Sequence, residues 1–116
     1  MTPRHGKYNN RKVVVDGRKF DSKAEAERFI FLKKQEEEGI IENLCCQDRF
    51  LITEGYTDRT GKKHRARVYI ADFTYLKDGE FIVEDVKSRA TITEVYKLKK
   101  DIMQNKYGIE IVEMLK

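Results

Sequence analysis

Two runs of β-forming residues, "ARVYIADFTYL" (66–76) and "FIVEDVKS" (81–88), flank the tetrapeptide "KDGE". Asp78-Gly79 is a two-residue turn signal, so the runs are expected to pair as an antiparallel hairpin. This constrains the fold more than any other stretch, because it sets residues of both runs side by side. In each run an acid interrupts the apolar pattern. Asp72 sits amid Ile70, Ala71 and Phe73. Asp85 and Lys87 share a strand face with Phe81 and Val83, about 7 Å apart along the strand. Ile82, Glu84 and Val86 fall on the other face. An acid that continues an apolar face is costly unless it is paired or bound to a cation.

The remaining elements follow from local signals. Asp16-Gly17 places a small hairpin between Val13–Val15 and Lys19–Phe20. Ser22 is a good N-cap and Gly39 a good stop for a first helix, and Glu25, three residues after Ser22, completes a capping box. Leu44, Cys46, Phe50 and Ile52 favour extended structure, and residues 54–65 read as a polar connection. A second helix is capped by Thr91 or Thr93 and ended by Gly108, with an apolar stripe of Ile92, Val95, Leu98, Ile102 and Met103. "IEIVEML" is a last strand.

The expected architecture is α/β (α+β). An αβββαβ core has a mixed central sheet flanked by helices, preceded by a hairpin and a basic arm. A flexible arm over residues 1–11 leads into one domain over 12–116, long enough to bury a core.

No apolar run is long enough to cross a bilayer, so no membrane partner is expected. The polar, basic start does not read as a signal peptide. Cys45 and Cys46 are neighbours that point to opposite faces of a strand, which disfavours a disulfide between them. A reducing cytoplasm is the simplest compartment. The cysteines and histidines have no zinc spacing, and nothing in the sequence calls for an organic cofactor. The net charge is +4, and it is unevenly spread. "MTPRHGKYNNRK" carries Arg4, Lys7, Arg11 and Lys12 without an acid, and "DRTGKKHRAR" carries Arg59, Lys62, Lys63, Arg65 and Arg67 against Asp58 alone. Such clusters neutralise phosphates, and they also occur as plain solvated loops.

Two carboxylates on adjacent strands can converge on one cation, and a lysine beside them can orient water or stabilise charge on a phosphate oxygen. Metal-assisted phosphodiester hydrolysis needs such a set. The alternative is a structural ion pair of Lys87 with Asp85 or Asp72. Glu25 shares a helical stripe with Phe29 and Leu32 and is the acid of the first helix that faces the sheet, whereas Glu27 is solvated. Its competing role is the capping box. Lys99 falls inside the stripe of the second helix, where a packed stem with its head in water is the ordinary explanation. Reaching phosphate near the site, with help from Tyr96, is the other. His5 and His64 are isolated.

Glu25, Asp72 and Asp85-Val86-Lys87, in that order on those elements, resemble the signature of the PD-(D/E)XK nuclease superfamily. Ala71 replaces the proline of its "PD". "KVVVDGRKFDSKAEAERF", "ADFTY", "VEDVKS" and "YKLKKDIMQNKYGIEIVE" further resemble small phage and prophage proteins, once labelled only as a domain of unknown function and placed among Holliday-junction-resolvase-like endonucleases. The resemblance implies a restriction-endonuclease-like core and a Mg²⁺- or Mn²⁺-dependent DNA endonuclease. Its substrates would be branched or nicked intermediates of phage replication or recombination in a bacterial host's cytoplasm.

By the same resemblance, Asp72 and Asp85 would hold the metal with the Val86 carbonyl. Glu25 would bind a second cation or fix a metal-bound water, and Lys87 would act on water or phosphate. The basic arm and the 59–67 loop would hold DNA. A double-strand break would need a homodimer. The competing function is a non-catalytic DNA-binding or accessory protein of phage replication or packaging on the same fold. Converging Asp72 and Asp85 carboxylates, with Lys87 in the same cleft and Glu25 approaching from the first helix, are the geometry that the nuclease expectation requires.

Overall fold

A computed structural model describes residues 12–115. The chain runs β1 (Val13–Val15), β2 (Arg18–Phe20), α1 (Lys23–Glu37), β3 (Glu42–Thr53), β4 (Tyr56–Thr57), β5 (Lys63–His64), β6 (Arg67–Lys77), β7 (Glu80–Lys87), α2 (Glu94–Tyr107) and β8 (Val112–Leu115), with a single 3₁₀ turn at Arg89–Thr91. A four-stranded mixed sheet, in the order β3-β6-β7-β8, is flanked by the two helices. Its first two pairings are antiparallel and β7–β8 is parallel, α2 making the crossover that a parallel pair requires. Among the described residues no helix is long and apolar enough to cross a membrane.

The turn signals act as expected. Asp16 and Gly17 (φ 51° and 77°) and Asp78 and Gly79 (φ 52° and 81°) occupy the left-handed region that a two-residue hairpin turn demands. The Ser22 hydroxyl caps α1 by accepting from the Glu25 N–H at 3.2 Å. Thr93, rather than Thr91, caps α2 through the Tyr96 N–H, and Gly108 ends it at φ 68°. Cys45 and Cys46 are free, one exposed and one half-buried.

Three expectations change. The capping box is only half formed, since Ser22 caps α1 but the Glu25 carboxylate is directed to Asp72 instead of back to the cap. Residues 54–65 are not a plain connection, because β4 and β5 pair within them. The α2 stripe is rotated from the one expected. Tyr96 and Met103 are its buried residues, whereas Val95 and Leu98 are 64% and 60% exposed.

Two apolar clusters cover the sheet, one per face. On β7 the alternation is regular. Ile82 and Val86 pack with Phe29 and Leu32 of α1, and Val83 packs with Tyr96 and Met103 of α2. On β6 it is broken. Tyr69 and Ala71 join the α2 cluster, but Phe73 and Tyr75 join the α1 cluster. Four residues of one parity should share a face, so β6 turns over between Ala71 and Phe73. β3 turns over at the same level, with Leu44 and Cys46 on the α1 side and Phe50 and Ile52 on the α2 side. Pairing is continuous at Cys46↔Phe73 and Asp48↔Ala71, skipping only Gln47 and Asp72. Gln47 takes φ 56°, the left-handed conformation that absorbs the half-turn. Asp72 therefore stands where the chain passes from one face of the sheet to the other.

Candidate active site

Asp72 is also where β6 and β7 part. Their ladder runs from Lys77↔Glu80 to Phe73↔Glu84 and stops before Asp72 and Asp85. In the fork each acid takes over the ladder's role. The Asp72 N–H donates to Asp85 Oδ1 at 2.9 Å, and the Val86 N–H donates to Asp72 Oδ2 at 2.8 Å. The two carboxylates are thus locked to each other's strands. Val86 enters the site through its N–H.

Asp85 is buried at 2% exposure, and its Oδ2 accepts from the Tyr69 hydroxyl at 2.5 Å. Lys87 Nζ lies 3.6 Å from the same oxygen and 4.1 Å from the centre of the Tyr96 ring. Tyr96 is fixed in turn, since its hydroxyl donates to Glu113 Oε2 at 2.9 Å, and Lys100 Nζ donates to that oxygen too. Asp85, Lys87, Tyr96 and Lys99 line a cleft of about 300 Å³ between α2 and the start of β6. Burial pushes the Asp85 carboxyl up from its ordinary range. The Tyr69 hydroxyl opposes that shift, Asp72 adds to it, and Lys87 opposes it weakly.

Glu25 reaches the fork from the α1 face, with its side chain within hydrogen-bonding range of Asp72. Burial first, then the Asp72 charge, raise its carboxyl to about 8. Burial beside a second carboxylate thus favours the protonated form of Glu25, as expected where two carboxyls share a site. The half-turn of β6 allows this arrangement, because at the seam Asp72 can adjoin Glu25 of α1 while it stays bonded to the neighbouring strand that carries Asp85. Three carboxylates thus form a chain of neighbours. Among the described residues, no three His, Cys, Asp or Glu side chains close into one ligating group.

The raised carboxyls have a consequence for stability. Between its ordinary pKa and about 8, Glu25 binds more protons folded than unfolded, so stability falls as pH rises through that interval. The Asp85 shift has the same sign. The melting temperature of cation-free protein should decline from pH 5 to pH 9, and Glu25→Gln should flatten most of that decline. An equal decline in the variant would show that Glu25 is not the group responsible.

Behind the fork lies a pair that sequence reasoning missed. Glu84 points to the α1 face, as expected of its parity, and is 1% exposed. Arg28 grips it with two bonds, Nε to Oε1 at 2.9 Å and Nη2 to Oε2 at 2.7 Å, and the Tyr75 hydroxyl donates to Oε2 as well. Arg28 is one turn beyond Glu25 and Glu84 precedes Asp85, so this pair ties the helix of one acid to the strand of another. The only local signal was an acid in the middle of an apolar strand. Its partner lies 56 residues away.

The expected DNA-contacting residues fall into two groups. Arg59, Lys62, Lys63, Arg65 and Arg67 are all exposed, on or beside the β4–β5 hairpin. Asp58 organises that hairpin by accepting from the Thr60 N–H (2.9 Å), the Thr60 hydroxyl (2.6 Å) and the Lys62 N–H (3.1 Å), and it meets His64 Nε2 at 2.8 Å. The Thr60 hydroxyl and His64 hold its carboxyl down at about 2. Arg67 opens β6 five residues before Asp72, about 17 Å along the strand. Lys12 forms an exposed ion pair with Asp21 at 2.8 Å. Arg4, Lys7 and Arg11, with the expected arm and His5, lie outside the described residues.

No curated protein and no solved structure matches the chain. One family model matches residues 5–114, a span that takes in both helices, the whole fork and the basic hairpin. Over that span the chain belongs to the DUF1064 family, described as proteins of unknown function.

Proposed function

We propose that this chain is a metal-dependent DNA endonuclease with a PD-(D/E)XK-type site formed by Glu25, Asp72, Asp85 and Lys87. One observation carries the reading. At the fork of β6 and β7, Asp72 and Asp85 are each bonded to the other's strand, with Glu25 against the first and Lys87 against the second. Pure DNA binding gives no reason to bury acids beside a phosphate site, since they repel the ligand.

The donor chemistry fits a hard cation: the donors are oxygens, the carboxylates together with the expected Val86 carbonyl, and Glu25 adjoins Asp72 with burial raising the energy of its charged form. Asp72, Asp85 and Glu25 are the residues that would hold Mg²⁺ or Mn²⁺, which supplies Lewis acidity toward the scissile phosphate. Lys87 is packed on Tyr96 beside Asp85, and its ammonium is held where it can stabilise charge on a phosphate oxygen or orient a water. Asp85 is kept from rotating by Tyr69 and by the Asp72 N–H. The Arg28–Glu84 pair ties α1, which carries Glu25, to the strand that carries Asp85.

The other reading, a DNA-binding or accessory protein of phage replication or packaging on this fold, is favoured by one observation. Among the described residues the acids do not close into a three-membered ligand group. Incubation of labelled duplex, single-stranded, flap and four-way-junction DNA with Mg²⁺, Mn²⁺ or chelator separates the two readings. Cleavage that depends on metal supports the nuclease. Binding without cleavage under every metal condition supports the alternative.

Where the chain binds DNA, with or without cleavage, the 59–67 cations would contact the phosphate backbone. Neutralising Arg59, Lys62, Lys63, Arg65 and Arg67 together should weaken binding to all sequences alike and flatten its dependence on salt. An unchanged salt slope in binding titrations would mean that this hairpin does not touch DNA.

A further inference from the structure

The β4–β5 hairpin carries more than positive charge. Neither strand joins the four-stranded sheet. Tyr56 and His64 face each other across its short ladder, with ring centroids 4.5 Å apart and planes inclined by 9°. The His64 ring is anchored by Asp58, which also gathers the turn. The root is narrow. A Cβ on Gly55 would come within 3.0 Å of the His64 carbonyl oxygen, so the two arms approach as closely as a glycine permits. The aromatic pair is therefore presented on a braced loop, and Tyr56 is 59% exposed.

A cross-strand aromatic pair can exist simply to hold a short hairpin together. That role does not explain why the ring is left open to solvent among exposed Arg59, Lys62, Lys63 and Arg65. An open aromatic face on a hairpin that also carries exposed cations matches two features that a nucleic acid offers together: a phosphate backbone and the flat face of a base. A continuous duplex offers the first and hides the second in its stack. A base that lies outside the duplex offers both.

We propose that Tyr56, backed by His64, stacks on an extrahelical nucleobase, so that the hairpin directs the chain to DNA carrying unpaired bases. This rests on the DNA reading above and names the feature that the chain recognises. A fully paired four-way junction lacks such a base and is not favoured by this contact.

The test is fluorescence anisotropy with the full chain in chelator, on three DNAs. These are a duplex, the same duplex with one extrahelical adenine, and the same with an abasic residue in the adenine's place. The adenine should tighten binding about tenfold over the abasic residue, the order of effect of one stacked base. 2-Aminopurine at that position should be quenched on binding. Tyr56→Leu should abolish both effects and leave duplex binding unchanged, while Tyr56→Phe retains both. Equal affinity for the adenine and abasic DNAs overturns the proposal, and so does quenching that survives Tyr56→Leu. Cleavage does not enter these measurements. The base preference can therefore hold where cleavage fails, and the nuclease reading can hold where the preference is absent. Failure to bind any of the three DNAs overturns the stacking proposal and the DNA reading together.

Discussion

Asp85→Asn should abolish cleavage in both Mg²⁺ and Mn²⁺, while DNA binding is kept or improved. The amide still offers an acceptor but carries no charge to attract a cation, and the phosphate loses a repelling neighbour. Calorimetric titration with Mn²⁺ should show binding lost along with activity. Cation-free protein should melt no lower than the parent, because burial opposes the Asp85 charge and outweighs the Tyr69 hydroxyl, the Asp72 N–H and Lys87, which favour it. Lys87→Ala should differ in kind. Its Nζ contacts Asp85 and the Tyr96 ring, so Mn²⁺ should still bind while the rate falls about 10²–10³-fold, as for loss of one charge stabiliser. A folded Asp85→Asn protein that cuts DNA as fast as the parent would remove this site from consideration. A folded Lys87→Ala protein that keeps the parent's rate would leave Lys87 as merely the structural partner of Asp85.

Glu84→Ala should cost about 3 kcal/mol of stability, near the lower end for breaking a buried ion pair. Arg28, whose side chain is 21% exposed beside Glu84, would be left without a carboxylate. The Tyr75 hydroxyl would lose its acceptor as well. Replacing both partners by apolar residues, Arg28→Met with Glu84→Leu, should recover most of that loss, because neither charge then remains buried alone. Urea unfolding of the two single variants and the double variant measures the coupling. A loss under about 1 kcal/mol in Glu84→Ala would mean that apolar packing alone holds α1 to β7.

Much of this architecture was legible because it is written in short-range signals. Asp16-Gly17, Asp78-Gly79, the Ser22 cap and the Gly108 stop each act within a few residues of themselves, and each stands where the sequence implied. The opposite facing of Glu84 and Asp85 followed from strand parity. The half-turn at Asp72 was not legible, because nothing in "VYIADFTY" distinguishes a strand that keeps its faces from one that exchanges them. The opposing clue, Gln47 at positive φ, lies on another strand. Arg28–Glu84 and Tyr69–Asp85 depend on tertiary proximity and have no periodic trace. The α2 stripe was misplaced because hydropathy favours Val95 and Leu98. The helix instead turns its amphipathic tyrosine inward, where the ring supports Lys87 and the hydroxyl finds Glu113. Residues 54–65 hid a hairpin because two-residue strands leave no alternation to read.

The exchange of faces at Gln47 and Asp72 divides the interior into two compartments, one lined by α1 and one by α2, that share only the sheet between them. Glu25 belongs to the first and Asp85 to the second, with Asp72 at the seam. Loosening of either compartment alone would withdraw one acid and leave the other in place. A ligand that bridges Glu25 and Asp85 would therefore act as a rivet through the sheet. Its binding should slow amide exchange in both helices at once, although no contact between α1 and α2 is needed to carry the effect.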